Sequence, residues 1–304
     1  MLSVVICTYN RAGALDGALR SLMAIHDPPG ETWELVIVDN NSTDDTPAAV
    51  ERLAAGARVP VRYVFEPEQG VGHARNRGAR EARGEWVVYT DDDVEFHRDW
   101  LANLYRTMRE SGPAAIGGRV MAVWPSDARP AWLVESGPYR TPGGAIPQYD
   151  LGEQGGEAAI PPITANAAIH RSLFQRHGLF RADLAEGISM GEDTEFFERV
   201  RAAGEKVLYA PGAVVYHPVP MGRLSKKYFS RWSFNAGRAA LRIQAPPAAA
   251  KRYFGVPRYY LKNLAALAPR WLTAYGEGKR FHYWMRMCGQ AGQIMECRAQ
   301  GRQR

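Results

Sequence analysis

The sequence predicts an α/β fold, a mostly parallel sheet flanked by helices, followed by a helical basic extension. Three observations carry this. Four apolar runs of strand length, at 2–7, 35–38, 61–65 and 86–89, alternate with helical patterns, and strands joined through helices lie parallel with both faces covered. Three of these runs break off into hydrogen-bonding clusters, at 8–11, 39–42 and 91–93, which gathers polar groups at the strands' C-terminal ends, where open α/β sheets bind ligands. Charge then divides the chain: residues 220–304 hold 17 Lys and Arg against 2 Asp and Glu, a balance of +15, while the residues before them hold 21 against 30, a balance of −9.

Taken in order, the run at 2–7 ends in the polar turn Thr8-Tyr9-Asn10-Arg11 and leads into a helical pattern over 15–25. The run at 35–38 ends in Asp39-Asn40-Asn41-Ser42-Thr43-Asp44-Asp45 before a helix over 46–53. A third strand over 61–65 precedes a helix over 74–82, and the fourth strand, 86–89, runs into Asp91-Asp92-Asp93. Asp99 and Trp100 open a helix to Arg109. Residues 121–162 are rich in Gly and Pro, with Trp124, Trp132, Tyr139 and Tyr149 interspersed, and predict a long irregular excursion whose aromatics either stack on a ligand or pack it onto the core. A strand over 163–169 and a short helix over 171–177 follow. Met190-Gly191 then turns into an amphipathic helix with Glu192, Asp193 and Glu195 in its first turn, and two short strands, 207–210 and 213–216, lead to His217. Beyond it, 224–243 is a basic, aromatic helix and 257–304 suggests two or three more.

At 304 residues and 46% hydrophobic, the chain has the material for one large or two modest cores. No stretch approaches 18 uncharged apolar residues, and no basic segment precedes the first apolar run; neither a spanning helix nor a signal peptide is expected, and a cytoplasmic protein is. Cys7, Cys288 and Cys297 are too scattered for a disulfide framework or zinc cluster.

Three consecutive carboxylates repel one another at the mouth of a sheet unless a cation or hydrogen-bond donors neutralise them. A hard divalent ion, Mg²⁺ or Mn²⁺, suits oxygen ligands and points towards a phosphorylated substrate; a polar turn before a helix is the bland alternative. In Gln69-Gly70-Val71-Gly72-His73-Ala74-Arg75-Asn76 the glycines permit close approach and Arg75 is within reach of a phosphate or base edge. The dinucleotide fingerprint is not matched, since Arg75 stands where a third glycine is needed. Acids at 192 and 193 either complement a helix dipole or supply a general base. His217 is either a satisfied polar residue or an extra metal ligand. The basic, aromatic C-terminal part suits an anionic membrane surface, a nucleic acid or a phosphorylated acceptor, or is a solvated helical face.

The ordered segments Val4-Val5-Ile6-Cys7-Thr8-Tyr9-Asn10-Arg11, Val36-Ile37-Val38-Asp39-Asn40-Asn41-Ser42-Thr43-Asp44, Gly72-His73-Ala74-Arg75-Asn76-Arg77-Gly78, Ala82-Arg83-Gly84-Glu85-Trp86 leading into Asp91-Asp92-Asp93, and Gly191-Glu192-Asp193 resemble the family 2 glycosyltransferases, inverting enzymes of the GT-A fold. The resemblance covers roughly the first 220 residues. It implies a glycosyltransferase of the hexosyltransferase type, with a GT-A domain over 1–220, its nucleotide-binding half 1–120 and acceptor-binding half 121–220, and a helical basic extension over 221–304. Thr8, Tyr9, Asn10, Arg11, Asp39, Asn41, Arg75, Asp91 and Asp92 would hold the nucleotide of a UDP-sugar or related donor. Asp93, Asp91 and His217 would hold Mn²⁺ or Mg²⁺, with Asp92 able to share that role. Asp193 would be the base, with Glu192 the alternative. Thr164, Ala165, Asn166 and Trp124 would meet a glycan, lipid-linked or small-molecule acceptor. Lipid-linked acceptors would put the protein on the inner face of the cell membrane. A nucleotidyltransferase and a non-catalytic sugar-nucleotide or nucleic-acid binder are the rival readings, although no nucleic acid is expected.

Overall fold

A computed structural model describes residues 1–126, 129–141, 143–188, 190–247 and 249–302. The chain forms two compact units, Met1–Val123 with Pro147–Pro218, and Trp124–Ile146 with Val219–Arg304; Gln303 and Arg304 at the end of the expected helical region lie outside the described residues.

In the first unit the order is β1 (Leu2–Thr8), α1 (Ala12–Met23), β2 (Trp33–Asp39), α2 (Thr46–Ala54), β3 (Val61–Phe65), α3 (Val71–Glu81), β4 (Trp86–Thr90), β5 (Glu95–Phe96), α4 (Trp100–Ser111), β6 (Ala115–Val123), β7 (Gly156–Glu157), β8 (Asn166–His170), α5 (Arg171–His177), α6 (Ala182–Ala185), α7 (Glu192–Ala202) and β9 (Val207–Pro218). One sheet runs β3-β2-β1-β4-β8-β6-β9-β5, with β7 on the side of β9. Strands β3, β2, β1 and β4 are mutually parallel. β8 lies antiparallel to both β4 and β6, and β6 pairs parallel with β9. The continuous apolar runs of β1 and β2 are buried on both faces, as strands under helices on either side must be. The apolar stripe of α4, Trp100, Leu101, Leu104 and Met108, is buried.

Four departures from the sequence pattern bear on how the first unit is built. Helix α3 begins at Val71 rather than 74, because Gly70, at φ +146°, turns the chain directly into it. Gly72 is then a packing residue within the helix: a Cβ there would lie 2.7 Å from the Ala182 Cα. The strand expected over 163–169 is β8, which starts only at Asn166. β6 has no counterpart in the sequence reading, since Gly117, Gly118 and Arg119 interrupt its apolar run. Finally, the two short strands expected at 207–216 are one strand, β9, carrying a bulge. Its register on β6 steps from Gly118↔Ala210 to Arg119↔Val214, leaving three residues, 211–213, without partners.

Asn166 splices this irregularity. Its Nδ2 donates to the carbonyls of Arg119 at 3.0 Å and Ala213 at 2.8 Å, and its Oδ1 accepts the Trp100 indole N–H at 2.9 Å. A Cβ at Gly118 would come within 2.3 Å of that amide, which is why β6 needs glycine there.

The second unit holds α8 (Lys226–Ile243), the strands β10 (Arg252–Tyr253) and β11 (Val256–Pro257), α9 (Arg258–Leu272) and α10 (Glu277–Arg302). The backbones of α8 and α10 approach closely at glycines: a Cβ at Gly237 would meet the Gly289 carbonyl oxygen at 2.0 Å. Trp132 from the excursion stacks edge-on against Phe229 and Phe281, centroids 5.0 and 4.9 Å apart. The two acids of 219–304 are engaged: Glu296 accepts from Arg238 and Arg242, each at 2.8 Å, and Glu277 pairs with Lys226. Among the described residues no helix is long and apolar enough to cross a membrane.

Replacing Asn166 by Ala strands the Trp100 N–H and two carbonyls inside the core. The variant is expected to lose about 3 kcal/mol or more of unfolding free energy, read as a lower urea midpoint at unchanged slope. A loss below about 1 kcal/mol would show that the bulge holds without its amide splice.

Candidate functional site

The loops that end β1, β2 and β4 are laced together. Thr8 Oγ1 donates to Asp92 Oδ2 at 2.7 Å, and one Arg11 Nη donates to Asp92 Oδ1 and Asp93 Oδ2, both at 2.8 Å. Asn10, at φ +51°, accepts the Thr43 N–H on Oδ1 at 2.7 Å, while its own N–H donates to Ser42 Oγ at 2.9 Å. Asp44 accepts the Ala12 N–H at 3.1 Å at the start of α1, and with its other oxygen the N–H of Thr46, the first residue of α2. The turn clusters are therefore one connected hydrogen-bonded edge.

Of the three adjacent acids, Asp92 turns inward and is 4% exposed. Burial pushes its carboxyl above the ordinary range, against the opposing pull of Thr8 and Arg11. Asp91 and Asp93 turn the other way, towards His217 at the end of β9: His217 Nε2 lies 3.5 Å from Asp91 Oδ2 and 3.3 Å from Asp93 Oδ1. One ligand atom from each of the three falls within 4.8 Å of the others. β9 reaches this point because it pairs with β6, Ala122 opposite His217, and with β5, Glu95 opposite Tyr216. His217 is buried, and its Nδ1 lies 3.0 Å from the Pro218 carbonyl oxygen. That bond assigns a proton to Nδ1 and leaves Nε2 facing the two carboxylates, to which it donates when the ring is protonated and where the neutral ring would offer a lone pair to a cation, as metal-ligating histidines are held. Burial lowers the His217 pKa, but the Asp91 hydrogen bond and both carboxylate charges outweigh it and raise the group overall. Burial likewise raises Asp91, and His217, Arg75 and Arg11 outweigh it to leave that carboxyl below its usual range. Two carboxylates and one imidazole nitrogen in convergence fit a divalent cation of the Mn²⁺ or Mg²⁺ kind.

Beside this edge lies a cleft of about 400 Å³ lined by Thr8, Tyr9, Asn40, Gly70, His73 and Gly187, among others. Asn40 clasps its wall: Nδ2 donates to the Glu68 carbonyl at 2.7 Å and Oδ1 accepts the Gly70 N–H at 2.8 Å. The N-terminus of α3 forms part of the lining, with no side-chain cap and no acid in its first turn, and amides so placed favour an anion. Asp39 is fully buried; it accepts the Ser42 N–H at 2.8 Å and the hydroxyl of the half-exposed Tyr63 at 2.7 Å.

Helix α7 opens on Gly191 in the left-handed region, φ 104°, which sets its first two acids in different environments. Glu192 is buried and paired through Oε1 with Arg75, and its Oε2 has no hydrogen-bond partner among the described residues. Asp193 is half-buried: Oδ1 accepts its neighbour Thr194's N–H at 2.7 Å, and Oδ2 faces the Thr164 hydroxyl at 3.5 Å.

The structure thus brings Thr8, Arg11, Asp91, Asp92, Asp93 and His217 together, and separately Thr164 and Asp193. Among the described residues Asn41, at φ +66°, reaches only the Pro67 carbonyl, at 3.4 Å. Asn166 leaves no polar group for an acceptor, since its whole amide is spent inside the sheet. The Ala165 carbonyl takes the Thr90 hydroxyl at 3.0 Å, and Trp124 belongs to the second unit, with the Arg129 guanidinium 3.9 Å over its ring. Sequence reasoning missed the Asn40 clasp, the Asp44 cap and the Tyr63 partner of Asp39. Asp44 carried a signal, an Asp just before a helical pattern; Tyr63 carried none, being one aromatic in a strand.

Residues 3–178 match the family described as glycosyl transferase family 2. Succinoglycan biosynthesis protein ExoM of Rhizobium meliloti is 31% identical over 247 residues, 81% of this chain and 76% of its own. Glycosyltransferase AglE of Haloferax volcanii is 22% identical over 274 residues, 90% of this chain and 84% of its own. Among solved structures, the mannosyltransferase PcManGT of Pyrobaculum calidifontis, in complex with GDP-Man and Mn²⁺, aligns with 97% of this chain and 86% of its own at a TM-score of 0.63 and 22% identity. TarS of S. aureus in complex with UDP-GlcNAc aligns with 99% of this chain and 91% of its own at 0.54 and 18%. These two likenesses carry the GT-A-type fold. With its first strands, both laced loops and the Asp91–Asp93 edge inside the matched region, and a relative at 31% identity across most of both chains, the chain belongs to glycosyl transferase family 2 and is a glycosyltransferase.

Proposed function

We propose that the chain is a metal-dependent, inverting glycosyltransferase that moves a sugar from a nucleoside-diphosphate donor, UDP-linked by preference, to an acceptor hydroxyl in a single displacement. The observation that carries this is the convergence of Asp91, Asp93 and His217 within 4.8 Å at the strand ends. Those three would hold Mn²⁺ or Mg²⁺, and the solved relative bound to GDP-Man and Mn²⁺ supports a cation in company with a nucleotide sugar. When bound, the cation supplies positive charge to the departing diphosphate. Asp92 positions: with both oxygens held by Thr8 and Arg11, it fixes the loop on which its neighbours sit. The donor would lie along the 400 Å³ cleft, its anionic portion towards the uncapped α3 N-terminus and Tyr9 flanking the base. Asp39 would accept the base N–H, the Tyr63 hydroxyl giving up its place on Oδ2. Asn10 and Asn41 hold the loops around that base.

Of the two acids on α7, Asp193 suits the general base better. Glu192 is buried against the Arg75 guanidinium, which stabilises its charged form and ties up one oxygen, whereas Asp193 is half-buried and its partners among the described residues are threonines. Attack by the activated hydroxyl on the face opposite the leaving diphosphate inverts the anomeric centre. Arg75 then acts by locking α7 onto α3. The basic second unit suits an anionic membrane surface and, with it, an acceptor carried on a lipid.

Asp193→Asn is expected to lower turnover by about 10³-fold with donor affinity within about twofold of the parent, measured by steady-state kinetics and calorimetry. Glu192→Gln is expected instead to destabilise the fold, by roughly 3 kcal/mol, because it leaves Arg75 buried without its counter-charge; loss of turnover in this variant at unchanged stability would exchange the two roles. In calorimetric titrations of UDP, GDP and dTDP, Mn²⁺ should tighten UDP binding most. That gain should vanish in Asp93→Ala and fall by about tenfold or more in His217→Ala. Nucleotide binding that ignores Mn²⁺ in all three proteins would sink the metal assignment. Asp39→Ala is expected to weaken UDP by at least about tenfold while Tyr63→Phe leaves it equal or tighter; weakening in both would place the base against Tyr63 instead.

A further inference from the structure

The second unit carries one residue whose conformation and exposure oppose its chemistry. β10 and β11 form a two-stranded hairpin, Arg252 opposite Pro257 and Tyr253 opposite Val256. Its turn is Phe254-Gly255, both residues at positive φ, 50° and 79°. A two-residue turn of this hand is ordinarily made by Asn-Gly or Gly-Gly, and a bulky side chain in the left-handed region is an outlier that the local backbone disfavours. Phe254 is also 93% exposed. Neither folding nor solubility gains from an aromatic ring held there.

The hairpin is nevertheless firmly rooted. Val256 is fully buried in a cluster with Leu241, Tyr260, Ile294 and Cys297, the Arg258 N–H donates to the Lys251 carbonyl at 2.8 Å, and Arg252 donates across the turn to the Gly255 carbonyl at 3.1 Å. A fixed base thus presents an apolar tip. Tyr253 and Tyr259 beside it are 51% and 38% exposed, and the Arg258 guanidinium lies 5.8 Å over the Tyr253 ring. Lys251, Arg252, Arg258 and Lys262 surround the hairpin in sequence, and from 219 to 276 the chain holds 11 Lys and Arg with no Asp or Glu.

We propose that this hairpin is an anchor that inserts Phe254 into the interfacial layer of an anionic lipid bilayer. The apolar ring reaches the acyl boundary, the tyrosines sit at headgroup depth, and the flanking cations meet lipid phosphates, the division of labour that interfacial anchors use. An acid-free field is complementary to a surface of one sign, and a single protruding ring seeks an apolar layer. A nucleic acid answers the charge but not the tip. The proposal rests on the membrane reading of the basic unit and goes beyond it in naming the element that enters.

The test is co-sedimentation of the full chain with vesicles of phosphatidylcholine alone and of phosphatidylcholine with phosphatidylglycerol, at low and high salt. Wild type should pellet with the anionic vesicles only and be released by salt. Phe254→Ser should lower the partition coefficient about tenfold, at unchanged circular dichroism and melting midpoint, and Phe254→Trp should restore it. If Phe254→Ser binds as wild type does, the anchor is wrong while the basic surface still docks. If wild type ignores both vesicles, or binds duplex DNA in their place, the membrane reading falls and the anchor with it.

Discussion

Three neighbouring carboxylates at the end of one strand repel one another by several kcal/mol even with the screening typical of a protein surface, and the first unit is arranged around relieving that repulsion. The three are parted. Asp92 is drawn inward to Thr8 and Arg11, while Asp91 and Asp93 face His217 on a strand from the far side of the sheet. Arg11 touches two of the three and so couples the first loop to the last acid. The first strand must be in place for the fourth strand's loop to hold its shape, and β9 must arrive in the right register for the remaining charge to find a partner.

The same economy recurs at α7. Two adjacent acids at a helix start would ordinarily share one environment, but the left-handed Gly191 and the largely covered Arg75 divide them, one into an ion pair and one towards the Thr164 hydroxyl. Where like charges are adjacent in this chain, the fold assigns them different tasks by giving them different neighbours.

Much of this was legible in the sequence, and what was not has a physical reason. Strand, loop and helix could be read off the alternation of 2–7, 35–38 and 86–89 with amphipathic runs, and the coincidence of three polar clusters marked the strand ends that the structure laces into one polar edge. Family membership sets aside the nucleotidyltransferase and the non-catalytic binder. The misses fall where glycine serves tertiary contact rather than a turn. Gly72 reads as loop but lies in α3 against Ala182, and Gly118 hides β6 because it makes room for Asn166. Asn166 itself, read as an acceptor contact, is a strand splice; one amide in an Ala-rich run looks the same in either role. Arg75 beside two glycines reads as a phosphate or base contact, and its partner Glu192 lies 117 residues on, beyond any local pattern.

The bulge in β9 has a consequence for how this region tolerates inherited change. Side chains alternate faces along a strand, so an odd surplus of residues shifts everything beyond it to the opposite phase. The three unpaired residues at 211–213 are such a surplus, and His217 lies just past them. Point replacements among Pro211, Gly212 and Ala213 alter shape but preserve parity. Loss of a single codon there would swing the imidazole away from the aspartates with all three side chains still present in the gene. Length at this place, more than composition, is what descent has to conserve.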